Sequence, residues 1–155
     1  MTNRTAILTI ASGLGTGYSP FAPGTAGSLL GLLLVWLLSG ATGLGGYWYP
    51  ALTVLLFFIG VWASGHAEVI YGKKDCGKIV IDEVVGMFVT LYLLPAAPLY
   101  FVSGFILFRF FDILKPFPAS RIDQRLGGGL GVMLDDVAAA VYANLCLHGL
   151  KAVIA

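Results

Sequence analysis

"KIVIDEVVGMFVTLYLLP", residues Lys78 to Pro95, sets two adjacent acids, Asp82 and Glu83, into a stretch that is otherwise almost wholly apolar. Ile79, Val80 and Ile81 make the chain apolar before the acids arrive. The ordinary account is that both carboxylates start a membrane helix, favoured by the positive end of its dipole and seated among lipid headgroups. The other account is functional, because an ionisable group drawn into a membrane carries a task by default. Adjacent helical residues point about 100° apart. One acid can therefore ligate a metal while its neighbour orients a water or pairs with a cation.

The rest of the chain is apolar enough to make the membrane the right frame. Of 155 residues, 58% are hydrophobic and only 11% charged, and the mean hydropathy is +0.90, outside the soluble globular range. The length suits a single domain, 1–155. A net charge of +1 and the lack of a Lys/Arg run leave no basic face for nucleic acid. Cys76 and Cys146 have no paired spacing, so neither a disulfide framework nor a zinc site is expected. The N-terminus, with Arg4 and a short apolar run, is a poor match to a cleavable signal peptide, and the chain is read as mature from Met1.

Charge placement divides the chain. Thr5 to Ser64 holds no Asp, Glu, Lys, Arg or His, and Val84 to Phe108 is likewise uncharged. Within these runs the expected apolar helices are Gly27 to Leu38, extendable to about Leu44, then Pro50 to Ala67, Val84 to Leu94 and Leu99 to Lys115. A last one covers Val132 to Ile154, whose small residues suit close packing. The fold class is all-α, a compact integral membrane bundle of about four to five apolar helices. If the first two spans form one hairpin and the next two another, Met1–Ala26, Ile70–Glu83 and Lys115–Asp136 emerge on one side. Lys73, Lys74, Lys78, Lys115, Arg121 and Arg125 lie there, which makes that side the cytoplasm. Glu68, Asp75, Asp82, Glu83, Asp112, Asp123, Asp135 and Asp136 sit in or beside the same segments. The expected protein is a multi-pass anchor in the cytoplasmic membrane with one chemically loaded face.

Three further stretches carry candidate chemistry. In "GGGLGVMLDDVAAA", Gly127, Gly128, Gly129 and Gly131 permit a tight backbone, and Asp135 and Asp136 form a second acid pair expected at the head of an apolar helix. Helix capping explains one such pair. Two pairs on one side repel unless a cation lies between them, and hard cations such as Mg²⁺ take oxygen ligands. In "FRFFDILKPFP", Arg109, Asp112 and Lys115 fall at i, i+3 and i+6 along one helix face, either a self-neutralising triad or a phosphate grip with a further acid. In "GLGTGYSPFAPGTAGSLLG", Pro23-Gly24 makes a turn, and Thr25 or Ser28 can cap the next helix, whose free N–H groups form an anion site. The spacing fits neither a P-loop nor GxGxxG. His66 and His148 are isolated and read as structural.

"SPFAPGTAGS", "IVIDEVVGM", "FRFFDILKPFP" and "GGGLGVMLDDVAA" resemble, in order and spacing, the successive signature blocks of the phosphatidylglycerophosphatase A family, from Gly13 to Ala140. The resemblance implies a Mg²⁺-dependent bacterial membrane phosphatase. Such an enzyme converts phosphatidylglycerophosphate, a lipid substrate, into phosphatidylglycerol and phosphate. Roles are then assigned by chemistry. Asp82, Glu83, Asp135 and Asp136 are expected to hold metal, and Asp82, Glu83, Asp112 and Asp136 to serve catalysis. Thr25, Ser28, Arg109 and Lys115 are expected to bind the substrate phosphate.

Water activated by metal is the expected nucleophile. A cysteine phosphatase needs an arginine six positions after its cysteine, where this chain has Asp82 and Ala152. The DxDxT pattern of aspartyl-phosphate enzymes and the arginine-histidine set of histidine-nucleophile lipid phosphatases are absent. The Asp-Gly to Asp series of CDP-alcohol phosphotransferases is missing too. The alternative function is a membrane cation carrier using intramembrane carboxylates, which calls for polar residues continuing through the midplane.

Overall fold

The computed structural model describes residues 2–42, 46–117, 121 and 125–154. Asp123 and the extension of the first expected span to Leu44 lie outside these residues. Among the described residues six helices run in the order α1 Thr2–Ala11, α2 Pro23–Thr42, α3 Trp48–Tyr71, α4 Ile81–Thr90, α5 Pro98–Leu114 and α6 Gly128–Ile154, with a short 3-10 turn at Thr16–Tyr18. No strand occurs among the described residues. Among the described residues three segments are long and apolar enough to cross a bilayer, Pro23–Gly40, Trp48–Tyr71 and Gly128–Ile154.

The stretch quoted at the outset forms the centre of the bundle. α4 has 10 residues, about 15 Å of helix against a hydrocarbon core of about 30 Å. It is therefore about half as long as a span and is shielded by its neighbours. Ile81, Asp82, Val84, Val85, Gly86, Met87, Phe88 and Thr90 are all buried. Such a helix cannot leave its last carbonyls bare. Asn144 of α6 donates from Nδ2 to the carbonyls of Thr90 and Tyr92, each at 3.0 Å, and His148 Nε2 donates to Tyr92 at 3.2 Å. The Tyr49 hydroxyl of α3 donates to the Phe88 carbonyl at 2.8 Å. His148 thus has the structural place expected of it.

Small residues let α2 and α6 approach. Gly24, Gly27 and Gly31 line the side of α2 facing α4, where a Cβ on Gly27 would meet Val80 at 2.7 Å and one on Gly31 the Val84 carbonyl oxygen at 2.8 Å. At Gly129 a Cβ would stand 1.9 Å from the Val61 carbonyl oxygen of α3. Bare backbone at these points is what lets the helices touch.

Three expectations change. α1 was not anticipated; its short apolar run buries Ile7 and Ala11, and the Ala11 carbonyl accepts from Val80 N–H at 2.8 Å just before α4. α4 begins at Ile81 and ends at Thr90 instead of covering Val84 to Leu94. α6 begins at Gly128 instead of Val132, so Asp135 and Asp136 sit about two turns inside it and not at its head. The glycines after Gly128 are helical because packing on α3 and on Leu126 demands their missing side chains, and only Gly128 among them has positive φ, at 69°.

Candidate active site

The starts of α2, α4 and α6 and the end of α5 converge on one group of charged side chains. Asp82 and Glu83 come from the first turn of α4. Asp136 reaches them from α6, and one carboxylate oxygen of each of the three lies within 4.8 Å of the other two. Asp82 is 7% exposed and Asp136 4%. Asp82 Oδ1, Glu83 Oε2 and Asp136 Oδ2 are buried with no hydrogen-bond partner. Three carboxyl groups this close, each with a buried oxygen that has no donor, are unfavourable for a protein alone. Among the described residues this is the group that could hold a hard divalent cation.

The electrostatics agree. α4 lies outside the crossing helices, and in its first turn burial, followed by the charges of Glu83 and Asp136, pushes the Asp82 carboxyl well above the ordinary carboxylate range. Glu83 is also raised by burial, with the hydrogen bond to Asp82 and the Arg109 guanidinium opposing and Asp112 adding to the rise.

Arg109 of α5 forms a salt bridge with Asp112 one turn on, and its Nη1 stands 3.8 Å from Glu83 Oε1. The expected triad of Arg109, Asp112 and Lys115 is split. Lys115 leaves the helix as its left-handed cap, φ 43°, and its Nζ donates to Asp135 Oδ2 at 2.5 Å. Asp135 thus engages Lys115 through one oxygen, while its charge still acts on Asp82. Thr25 is half-buried in the first turn of α2. Ser28 is fully buried and donates to the Gly24 carbonyl at 2.8 Å, which commits its hydroxyl to the helix.

Gly24 is the residue that sequence reasoning placed only in a turn. A Cβ there would lie 2.4 Å from Glu83 Oε1 and 3.1 Å from Arg109 Nη1, so the α2 backbone closes directly over the acid and the arginine. The signal for it was the spacing of Gly24, Gly27 and Gly31, at i, i+3 and i+7.

Fold and site define a helical membrane protein with a buried three-carboxylate centre under the start of a helix and beside an arginine. A family model described as Phosphatidylglycerophosphatase A matches residues 9–151. The chain belongs to this family and is an enzyme of the lipid-phosphatase class. It is 40% identical over 145 residues, 89% of each chain, to a Bacteroides thetaiotaomicron protein provisionally named a phosphatidylinositol-3-phosphatase. Two relatives named phosphatidylglycerophosphatase A come from Haemophilus influenzae and Escherichia coli. The first is 40% identical over 92% of this chain and 86% of its own. The second is 38% identical over 90% and 80%. No solved structure matches the chain.

Proposed function

We propose that the chain hydrolyses the terminal phosphate monoester of phosphatidylglycerophosphate to phosphatidylglycerol and phosphate, with Mg²⁺ as cofactor. The observation that carries this reading is the cluster of Asp82, Glu83 and Asp136, each with a buried oxygen that no donor reaches. The family and the names of two relatives support the substrate.

Asp82, Glu83 and Asp136 would hold the ion. Bound Mg²⁺ supplies positive charge for the phosphoryl oxygens and acidifies water. Arg109, whose guanidinium already lies beside Glu83, grips the phosphoryl group in fork geometry. The N–H groups of Gly24 and Thr25, in the first turn of α2 where no intrahelical acceptor exists, offer it further donors. Water attacks phosphorus, and the new P–O bond forms as the bond from phosphorus to the glycerol oxygen breaks. The proton of the water passes to a carboxylate of the cluster or to Asp112, and the departing glycerol oxygen takes up a proton to leave as an alcohol. Asp135 anchors Lys115, which adds positive charge at the rim, and Ser28 braces the α2 turn from behind.

Lys73, Lys74, Lys78, Lys115, Arg121 and Arg125 support a site facing the cytoplasm from a bacterial inner membrane. A cation carrier is disfavoured, because between Glu83 and Thr90 the buried side chains of α4 are Val84, Val85, Met87 and Phe88, a stretch that offers an ion no ligands.

The test is phosphate release in detergent, with Mg²⁺ or a chelator, from the wild type and Glu83→Ala. Phosphatidylinositol 3-phosphate is supplied in parallel because one relative bears that name. Magnesium-dependent release from phosphatidylglycerophosphate, reduced at least about a hundredfold in the mutant, is expected. Preference for the inositol lipid would reassign the substrate. A folded wild type that is inactive with every divalent metal would overturn the enzyme mechanism.

A further inference from the structure

An apolar groove of 360 Å³ lies between α2 and α5, lined by Leu29, Leu33 and Trp36 on one side and Pro98, Phe101 and Val102 on the other. Leu33, Trp36 and Val102 are 48%, 57% and 59% exposed. Along α2, Thr25, Leu29, Leu33 and Trp36 follow at i, i+4, i+8 and i+11, which is one helix face. Along α5, Pro98, Val102, Phe105 and Arg109 do the same in the opposite chain direction. Each helix therefore carries the site at one end of a stripe and the groove along the remainder. The two helices meet at the site end, where Gly24 lies against Arg109.

The depth also fits. From Gly24 to Trp36, or from Arg109 to Pro98, is about 17 Å along the helix axis. One leaflet of hydrocarbon is about 15 Å deep. The groove lining starts about two turns below Arg109, the gap that the glycerols and inner phosphate of a phospholipid would fill between its reacting phosphate and its tails.

We infer that the groove holds one acyl chain of the lipid substrate while the terminal phosphate occupies the carboxylate and arginine site; this rests on the function proposed above. Any lipid tail can wet an exposed groove. The tail of a lipid whose headgroup is docked at the site is held there at a far higher effective concentration, so the groove favours that lipid over its neighbours. It makes the groove a recognition element for a two-tailed phosphate monoester as opposed to a free one.

The experiment compares the wild type, Val102→Trp and Leu145→Trp in detergent with Mg²⁺, on a long-tailed phosphatidylglycerophosphate and on its deacylated headgroup. Leu145 is a surface position on α6, 62% exposed and not part of the groove lining. Filling the groove is expected to raise KM for the long-tailed substrate about tenfold, the equivalent of about two unburied methylenes. Activity on the headgroup alone should not change, and Leu145→Trp should alter neither. Equal behaviour of the two tryptophan variants, or equal loss on both substrates, would overturn the assignment. A wild type that hydrolyses neither substrate removes the proposed activity itself, and the groove assignment with it. Activity of the wild type on the long-tailed lipid alone keeps the activity; KM of Val102→Trp on that lipid then decides the groove.

Discussion

At the scale of single residues, the three carboxylates set the site's properties through mutual repulsion in a place largely shielded from water. Asp82→Asn removes the ionisable carboxyl, and with it the cost of keeping it protonated when folded, while keeping the shape. In chelator it should raise the thermal midpoint by a few degrees, about 1 kcal/mol of relief, and it should abolish most of the gain the wild type shows with Mg²⁺. Thermal unfolding in detergent with and without the ion reads both. The sign of the pH effect follows from the raised Asp82 carboxyl. Its folded form holds a proton that the unfolded chain gives up near the ordinary carboxylate value, so the metal-free wild type should lose stability as pH climbs from about 4 towards the raised value. Asp82→Asn should flatten that slope. Gly24→Ala puts a methyl group where Glu83 Oε1 stands. Displacing a reacting group by about 1 Å costs on the order of a hundredfold, so kcat/KM should fall on that order with the midpoint nearly unmoved. A Gly24→Ala enzyme of wild-type activity would show that the α2 turn plays no part in catalysis.

At the scale of elements, the bundle depends on a helix too short to stand by itself. Residues Val84 to Phe88 are buried on every side, and the α4 end is held by Asn144 and His148 from a helix more than fifty positions later. Asn144→Ala takes that donor from the carbonyl of buried Thr90, while the Tyr92 carbonyl keeps His148, and should cost about 2 kcal/mol, read as a lower midpoint, while the initial rate at low temperature stays within about twofold of wild type. Gly129→Ala sets a methyl against the Val61 carbonyl oxygen and should cost about 3 kcal/mol, the larger of the two losses. The order of helices was legible from the uncharged runs, since hydropathy acts locally. Their ends were not. α6 starts four positions before Val132 because glycines that look like a turn are helical once α3 presses on them. α4 stops at Thr90 because α6 supplies its cap. α1 carries no capping signal and is held by packing on α3 and by the Ala11 to Val80 hydrogen bond.

At the scale of the whole molecule, the proposed orientation in the membrane rests on the charged loops. With Cys76 and Cys146 replaced by serine, Lys73→Cys should react with an impermeant maleimide only in inverted membrane vesicles, and labelling of intact cells would reverse the proposed orientation. Composition and the uncharged runs by themselves determined that the chain is a helical membrane protein, and which stretches are apolar enough to cross. These follow from transfer free energies that act residue by residue along the chain. The signature blocks were enough to indicate the family, because the residue types of such a site recur at fixed spacing. Only the tertiary structure decided that Asp136 joins Asp82 and Glu83 while Asp135 turns to Lys115, that Gly24 covers Glu83 and Arg109, and that Ser28 serves its own helix. Neighbours in sequence point about 100° apart on a helix, so the rotation of α6 against α4, set by the glycine contact with α3, determines which acid of a pair enters the site.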